Sequence, residues 1–470
     1  MILHIVRVLL LLLEVVILFN LLIAVHEIGH FLAAKWRGLY IEQFGIWFGK
    51  PIWKKKINGV LYSIGSIPAG GFVKLPQLAP MDIIEGEADV DRAKLPPISA
   101  LDKIIVAIAG PVFSLLLALA FAGVVWAVGR PVGESDVTTV IGYVMPDSSA
   151  AKAGLQPGDK ILAVDGKPVT RFVGMNDSVM WNVVRSEGAT VPVEFERNGK
   201  VRTVQVTPYI AATEGWRRKS TRQLLIAPAE TAIIENVEPE TPAAAAGLQA
   251  HDIVRAFNHT PLYSPVALGD YIEKHPHEGL VLGVQRGDTT LDVQVKPTLL
   301  DSEGEKRPRI GIRWDSNGKT FIAHPNPIEQ VYNSVTGTLE TLGAVASPKS
   351  DVRFQHLSGP IGIGHIYYLL FESESGWQQA LWFSVLLNVN LAILNMFPIP
   401  VLDGGHIVLA LIESVRRKPV NIRVLEYIQT ACAVIIIGGI LYISFFDLGD
   451  LFGSRRAAAE PKPTPKVATP

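Results

Sequence analysis

An apolar stretch near the N-terminus carries three ionisable residues: Leu21-Leu-Ile-Ala-Val-His26-Glu27-Ile-Gly-His30-Phe-Leu-Ala-Ala34. In a helix, residues four apart share one face, so both imidazoles can reach one metal ion. Glu27 lies next to them, where it can contact a water held by that metal and serve as a general base. Ionisable residues in hydrocarbon are costly and are normally functional. The pattern predicts a zinc site on this helix. The alternative is a pair of hydrogen-bonded histidines in a helix bundle.

Two histidines leave such a site incomplete, because catalytic zinc takes three protein ligands and one water. The chain of 470 residues has one cysteine, Cys432, so a carboxylate is the natural third ligand. The candidate is Asp403, in Asn395-Met-Phe-Pro-Ile-Pro-Val-Leu-Asp-Gly-Gly-His406. The two prolines break an apolar span, and broken backbone at membrane depth faces protein or a water-filled cavity. The alternative is an ordinary turn aspartate at the membrane surface.

Four apolar stretches are long enough to span a bilayer, which takes about 20 residues. They cover residues 8–34, 104–128, 380–397 and 424–446. The first is longer than the apolar region of a secretory signal, so we interpret it as a retained helix. The chain has 43 basic and 44 acidic residues and a net charge of −1. This balance does not favour a nucleic-acid partner.

Basic residues predict the orientation of the spans. Lysines and arginines cluster in the loop after the first span and in the loop before the fourth. The positive-inside rule assigns both loops to the cytoplasm. Both termini and residues 130–377 are then expected outside the cytoplasm, although Arg455 and Arg456 argue weakly against this. The composition of residues 453–470 predicts a disordered tail.

The central part of the chain contains an internal repeat. Ala150-Ala-Lys-Ala-Gly-Leu-Gln-Pro-Gly-Asp159 aligns with Ala243-Ala-Ala-Ala-Gly-Leu-Gln-Ala-His-Asp252 at an offset of 93 residues (252 − 159). Short alternating strands and turn residues surround both copies, which predicts two tandem α+β modules. We place these modules at 130–225 and 226–324, followed by an interfacial amphipathic segment at 325–376.

The repeated pattern resembles the core of a PDZ domain, which typically binds an extended peptide at a sheet edge. The second copy departs from it, because Asp165-Gly166 becomes Asn258-His259 and Pro157-Gly158 becomes Ala250-His251. Peptide capture by the second copy is therefore less expected than by the first. The alternative is that both modules are rigid spacers or size filters.

These features together resemble the site-2 protease family, most closely its bacterial RseP-type members. The resemblance rests on the H-E-x-x-H motif, the Asn395–Gly405 motif and the tandem PDZ-like modules between the second and third spans. It covers nearly the whole chain. It implies a polytopic α-helical membrane protein with four transmembrane helices and two extracytoplasmic α+β PDZ-like domains. By this resemblance His26, His30 and Asp403 hold Zn²⁺, and Glu27 is the catalytic glutamate.

The resemblance also implies substrate-binding residues. Asn395 and Asn390 would hold the substrate backbone through amides that donate and accept hydrogen bonds. The alternative for Asn390 is a hydrogen bond between helices. The segment 59–75 resembles the family's membrane-dipping β-hairpin, which would pair with an unwound substrate, and the residues implied there are Gly70, Gly71 and Phe72. The alternative is a surface hairpin without substrate contact.

The second span carries a further match. Ala109-Gly-Pro-Val-Phe-Ser114 resembles the A-G-P-x-x-N pattern of the family, with Ser114 in place of the asparagine. Residues 1–129 would then contain the first two spans with the metal motif and the hairpin. Residues 377–452 would contain the last two spans with the third ligand.

The function implied is that of an intramembrane zinc endopeptidase in the bacterial inner membrane. Its expected substrates are single-span membrane proteins, cut within or beside the span after another protease has trimmed them. Family members of this type process an anti-sigma factor and clear remnant signal peptides. Both termini and the PDZ-like domains are expected in the periplasm, with membrane lipid as a further partner. The rivals are a quality-control metalloprotease acting outside the bilayer, a catalytically silent PDZ scaffold and a zinc transporter.

Overall fold

The computed structural model describes residues 2–78, 95–213, 215–302, 305–315, 318–373, 375–418 and 420–457. The chain divides into two compact units. We call residues 1–130, 323–339 and 357–448 the membrane unit. We call residues 131–322, 340–356 and 449–470 the repeat unit.

The helices and strands of the described residues are numbered here in chain order. The α-helices are α1 (Ile2–Arg37), α2 (Ala100–Val128), α3 (Ser149–Lys152), α4 (Val179–Val184), α5 (Pro242–Ala245), α6 (Pro265–Lys274), α7 (Pro327–Ala346), α8 (Pro360–Glu372), α9 (Gly376–Asn395), α10 (Asp403–Arg416) and α11 (Ile422–Ala457). The first ten strands are β1 (Gln43–Phe48), β2 (Trp53–Ile57), β3 (Val60–Ile64), β4 (Ile67–Lys74), β5 (Arg130–Gly133), β6 (Ile141–Val144), β7 (Lys160–Val164), β8 (Lys167–Pro168), β9 (Val191–Arg197) and β10 (Lys200–Val206). The others are β11 (Ile226–Pro228), β12 (Ala232–Val237), β13 (Ile253–Phe257), β14 (Thr260–Pro261), β15 (Leu280–Arg286), β16 (Thr289–Val295), β17 (Thr298–Ser302), β18 (Glu305–Arg309), β19 (Ile312–Trp314) and β20 (Thr320–Ala323).

Helices α1, α2, α9 and α11 are long and apolar enough to cross a membrane. They correspond to the four spans predicted from the sequence, which are thereby confirmed. Helix α2 begins with a capping box, in which the Ser99 hydroxyl accepts the Asp102 N–H and the Asp102 carboxylate accepts the Ser99 N–H. It packs against both α1 and α9, so the first and third spans meet on its surface.

Two predicted boundaries differ from the structure. Helix α9 ends at Asn395, two residues before the predicted end of the third span, because Pro398 cannot continue the helical hydrogen bonds. The predicted disordered tail begins too early, since α11 continues to Ala457. The reason is local: Arg455, Arg456 and Ala457 are good helix formers. The rest of the predicted tail lies outside the described residues.

The hairpin predicted within residues 59–75 is wrong. Strands β1 to β4 form one sheet in the order β2-β3-β1-β4. Strand β1 therefore lies between β3 and β4, pairing parallel with the first and antiparallel with the second. Gly65 allows this crossing, because a Cβ atom there would collide with the carbonyl group of Phe48. This strand order leaves β4 at one edge of the sheet, where it packs on α1.

The repeat unit confirms the two α+β modules. The sheet of the first module has the order β10-β9-β7-β8, and the second has β16-β15-β13-β12-β19 with β14 beside β13. Each module surrounds its own cluster of buried apolar side chains. The two modules contact each other, because the Glu134 carboxylate accepts hydrogen bonds from the Thr231 N–H at 2.5 Å and the Thr231 hydroxyl at 2.6 Å. The module boundaries, and the interfacial position of the segment that holds α7 and α8, stay predictions.

Candidate metal centre

Three predicted ligand side chains converge within the membrane unit. His26 and His30 lie on one face of α1, and Asp403 is the first residue of α10. Ligand atoms of the three residues lie within 4.8 Å of one another. The His26 Nε2 atom is 3.2 Å from Asp403 Oδ2, and the His30 Nε2 atom is 3.3 Å from Asp403 Oδ1. The structure thus brings together residues that are more than 370 positions apart in the sequence.

Glycines allow the surrounding backbone to approach the centre. A Cβ atom at Gly110 of α2 would collide with the His30 imidazole and would lie 2.8 Å from His26 Nε2. At the start of α10, Cβ atoms on Gly404 and Gly405 would collide with the chain between α9 and α10. The A-G-P and D-G-G patterns therefore place two backbones against the histidines and Asp403.

Each imidazole is oriented by a group on α2. The Val106 carbonyl lies 2.8 Å from His30 Nδ1, and the Ser114 hydroxyl lies 3.0 Å from His26 Nδ1. A carbonyl can only accept, so His30 donates its Nδ1–H, which leaves Nε2 as the nitrogen that can ligate a metal. Ligating histidines usually have such a partner on the second nitrogen. The sequence predicted no role for Val106, because a backbone carbonyl leaves no signal in the residue type.

The three residues fit a zinc ion. Zn–N distances of about 2.0–2.1 Å put neighbouring ligand atoms of a tetrahedral site about 3.3 Å apart. The His26 and His30 Nε2 atoms are 3.2 Å apart, and their distances to Asp403 are similar. Among the described residues, the buried Asp403 Oδ2 has no partner with hydrogen-bond geometry. A carboxylate whose two oxygens each face an imidazole nitrogen is the arrangement that a metal ligand set requires.

Glu27 lies between this centre and the edge strand β4. Its neighbours include His30, His26 and Asp403. A Cβ atom added to Gly71 of β4 would lie only 3.2 Å from Glu27 Cγ. A larger residue at position 71 would therefore crowd Glu27, and glycine lets the backbone of β4 approach the glutamate closely.

The other predicted residues of this strand lie beside Gly71. The Phe72 ring stacks on Phe48 with centroids 5.8 Å apart. Gly70 has a φ of 80°, and a Cβ atom there would collide with the Phe48 ring. These residues shape the strand, and their contact with substrate stays a prediction.

The structure separates the two predicted asparagines. Asn395 Nδ2 lies 3.3 Å from His26 Nε2, so this side chain borders the centre. Asn390 Oδ1 accepts a hydrogen bond from the Thr338 hydroxyl on α7. Asn390 therefore makes the hydrogen bond between helices that was the alternative to a substrate contact. A role of Asn390 in substrate binding stays a prediction.

The fold and the site define a multi-span membrane protein with a His-His-Asp centre. A model of peptidase family M50 matches residues 14–439 of the chain. The chain therefore belongs to peptidase family M50, the site-2 protease family, as the resemblance implied.

Relatives of nearly full length support the same assignment. The regulator of sigma-E protease RseP of Escherichia coli is 29% identical over 449 residues, covering 92% of this chain and 97% of the relative. The protease RseP of Yersinia pestis is 29% identical over 457 residues, with the same coverage of 92% and 97%. A protein of Neisseria meningitidis whose name calls it a zinc metalloprotease is 29% identical over 426 residues, covering 86% and 91%. The chain is accordingly a membrane zinc metalloprotease of the RseP type.

Among solved structures, the PDZ domain of an SdrC-like protein from Listeria monocytogenes is similar to part of the chain. It is 24% identical and covers 19% of this chain and 90% of that one, with a TM-score of 0.17. An overlap at that score carries no argument about this chain.

Proposed function

We propose that this metalloprotease cuts single-span membrane proteins within or beside the span, with zinc held by His26, His30 and Asp403. One observation carries the proposal: three ligand atoms lie within 4.8 Å of one another, and two of them belong to a helix of membrane-spanning length and composition. Polar groups in such a helix are costly to bury, and for that reason they are normally functional. The same observation disfavours a protease acting outside the bilayer.

The chemistry follows from the side chains around the centre. Zinc, when bound, supplies a Lewis acid that lowers the pKa of water and polarises a carbonyl. Glu27 takes the proton of the attacking water and passes it to the nitrogen of the leaving amine. Asn395, beside His26, donates a hydrogen bond to the substrate carbonyl and keeps it facing the centre.

The substrate has to be extended, because a helix hides its peptide bonds within its own hydrogen bonds. Strand β4 offers the outer edge of a four-stranded sheet, and Gly71 of this strand reaches Glu27. An unwound substrate pairs with this edge by strand addition, which supplies main-chain hydrogen bonds irrespective of its sequence. Pairing also delivers the scissile bond next to the glutamate.

The repeat unit acts as a gate against substrates that have not been trimmed. A cavity of about 310 Å³ in the second module lies between α6 and the strands β18 and β19, with Leu268, Ile272, Ile312 and Trp314 among its lining residues. A concave site that combines apolar side chains with the charged Glu273, Arg307 and Arg309 favours recognition of a peptide tail over simple exclusion of bulk. Ile312→Ser, at a half-buried residue of the lining, should then weaken binding of a hydrophobic peptide without changing cleavage of a substrate that lacks an outer domain.

The relatives support the proposed substrates and location. Relatives named as regulators of sigma-E point to a membrane-bound anti-sigma factor, cut after a first outer cleavage, and to remnant signal peptides. We place the chain in the bacterial inner membrane, with both termini and the repeat unit in the periplasm. Basic loops after the first span and before the fourth support this orientation.

The test is a cleavage assay in liposomes. A single-span substrate without its outer domain is incubated with wild type or Glu27→Gln, and the products are analysed by mass spectrometry. The variant removes the base but leaves the metal ligands in place, so zinc content should be equal. Cleavage inside the span by wild type alone is the expected result.

Other outcomes favour the rivals. Equal cleavage by both proteins contradicts Glu27 as the base. Cleavage only outside the span favours a quality-control protease. A matched substrate that keeps its outer domain tests the gate, since it should be cut more slowly than the trimmed form.

A further inference from the structure

A buried amide on the first span lies outside the proposed catalytic set. Asn20 is 9% exposed and lies on α1, seven residues before Glu27. Seven residues are about two helical turns, so the two side chains share one face of the helix. A polar side chain buried in a span requires a reason, and polar groups there are commonly functional.

The Asn20 amide contacts two strands of the sheet. The Trp47 indole Nε1–H of β1 donates to Asn20 Oδ1 at 2.7 Å. Asn20 Nδ2 donates to the Pro68 carbonyl of β4 at 3.4 Å and to the Val16 carbonyl of its own helix at 2.7 Å. One side chain of α1 therefore links the helix to β1 and to β4.

These contacts lie at a bulge between the two strands. Ile46 is opposite Gly71 and Phe48 is opposite Ile67, so residues 68–70 of β4 face Trp47 alone. Trp47 has a φ of 69°, in the left-handed region. Such a conformation is a genuine outlier for a bulky residue, and it persists only where the surroundings hold it. The Asn20 hydrogen bonds supply that constraint from both sides of the bulge.

The bulge comes directly before the part of β4 that reaches Glu27. Bulges re-aim a strand and fix its register, and a slip of one residue moves every side chain to the other face. We propose that Asn20 and Trp47 are positioning residues that hold this bulge and so set the register in which an extended substrate pairs with β4. This inference rests on the proposed strand addition of the substrate to β4.

The experiment compares Asn20→Leu and Trp47→Phe with wild type in the full-length protein. Each variant removes the indole–amide hydrogen bond; Asn20→Leu keeps a side chain of similar size, and Trp47→Phe keeps an aromatic ring. Mass spectrometry locates the scissile bond, and kcat and KM are measured separately. We expect cleavage to shift or spread by at least one residue and kcat/KM to fall about tenfold, because a small misplacement of the reacting bond is costly. Zinc content should not change.

A second readout reports the register without catalysis. In a Glu27→Gln, Cys432→Ser background, Ile67→Cys on the exposed start of β4 is crosslinked to single cysteines placed along the substrate. The preferred substrate position should move when Asn20→Leu or Trp47→Phe is added. The double variant should be no worse than Asn20→Leu alone, because Asn20→Leu already removes the hydrogen bond that Trp47→Phe deletes.

Tyr367→Phe is the matched control. It also removes a buried hydrogen bond of the membrane unit, from Tyr367 to Ser384 at 2.7 Å, but it does not touch the sheet. It should cut at the wild-type bond. Unchanged cleavage and crosslinking positions in Trp47→Phe would overturn the proposal even if Asn20→Leu failed to fold. Equal cleavage by wild type and Glu27→Gln would instead overturn the proposed function and this inference with it.

Discussion

Aspartates with buried carboxylate oxygens occur in both units and are held in different ways. In the repeat unit, Asp159 and Asp252 are each 1% exposed, and each accepts two hydrogen bonds from one guanidinium, of Arg197 and Arg286 respectively. In the membrane unit, Asp403 faces two imidazole nitrogens, and its Oδ2 has no hydrogen-bond partner among the described residues. The first arrangement satisfies the carboxylate within the protein. The second leaves it free to hold something else.

The difference separates a structural role from a chemical one. A buried carboxylate with every oxygen satisfied ties together the chain segments that carry its donors. Arg286 illustrates this, because it also donates to the Gly247 carbonyl at 2.8 Å, which joins the loop before Asp252 to the end of β15. A carboxylate whose neighbours are themselves potential ligands stabilises little until the metal binds. Substitutions should therefore move activity in one region and stability in the other.

The largest effect is expected from Asp403→Asn. The change removes the anionic ligand, so the several kcal/mol that a metal contributes to the transition state are lost, on the order of 10³-fold or more in rate. Zinc per protein, the cleavage rate and the melting temperature would be measured together. A lower melting temperature with unchanged zinc content and cleavage rate would contradict this prediction and would show that Asp403 has a structural role, like Asp159 and Asp252.

Asp252→Ala should produce the opposite profile. Removing one partner of a buried pair leaves the other uncompensated, and because Arg286 is partly exposed we expect a loss of about 2–3 kcal/mol. Hydrogen exchange of β13 and β15 in the full-length protein would report it. Zinc content and cleavage of a trimmed substrate should stay at wild-type values. Asp159→Ala in the first module should behave alike, and a loss of zinc in either variant would contradict the comparison.

Ser114→Ala tests whether the group that orients His26 contributes to zinc binding. The hydroxyl is 0% exposed and bonds His26 Nδ1, so its loss should weaken zinc binding by about 10–100-fold. Competition with a chelator gives the affinity. Ser384→Ala is the matched control, because Ser384 is also 0% exposed but bonds Tyr367. Equal affinities in the two variants would reduce Ser114 to a packing residue.

Acid should weaken the second module through Asp252. Burial alone would raise the pKa of this carboxyl, but the Arg286 guanidinium and the Gln249 N–H outweigh burial and hold the pKa below its usual range. The unfolded chain then binds more protons, so stability present above about pH 4 is lost as the pH falls through the folded pKa. The melting temperature between pH 5 and 3 should fall more steeply in wild type than in Asp252→Asn. Parallel curves would contradict this.

The smallest effect concerns the turns in which the two modules differ. His259 has a φ of 61° where the first module has Gly166 at 71°. Left-handed backbone is unfavourable for residues other than glycine by roughly 1–2 kcal/mol. His259→Gly should therefore stabilise the second module by about 0.5–1 kcal/mol, after the entropy that glycine gains in the unfolded chain is subtracted. Denaturant unfolding would measure it, and Gly166→His should destabilise the first module by a similar amount.

The second module keeps its turns despite its departure from the PDZ pattern. The substituted positions keep the turn, since His251 has a φ of 69° where Gly158 has 91°. The module in which peptide capture was least expected also contains the cavity beside α6. The residue type at a turn predicts the free-energy cost of the left-handed conformation. It does not predict whether the turn forms, because tertiary packing can impose that conformation.

The sequence alone determined the features that depend on neighbours in the chain. Hydropathy over about 20 residues identified the four spans, the i and i+4 spacing put His26 and His30 on one helical face, and the 93-residue offset (252 − 159) revealed the duplicated module. Asp403 was predicted as the third ligand from its position after two prolines that break the third span, and from the family resemblance. Each of these signals is local or repetitive, so it can be read without knowing the fold.

Only the tertiary structure decided which distant groups meet. It placed β1 between β3 and β4, which the sequence had joined in a hairpin, because sheet order depends on pairing and not on succession along the chain. It brought the Val106 carbonyl and Ser114 to the two imidazoles, and Trp47 to Asn20. Hydrogen bonds between segments tens to hundreds of residues apart leave no periodic trace in the sequence. They are fixed by the packing of helices and strands, and the proposed chemistry depends on them.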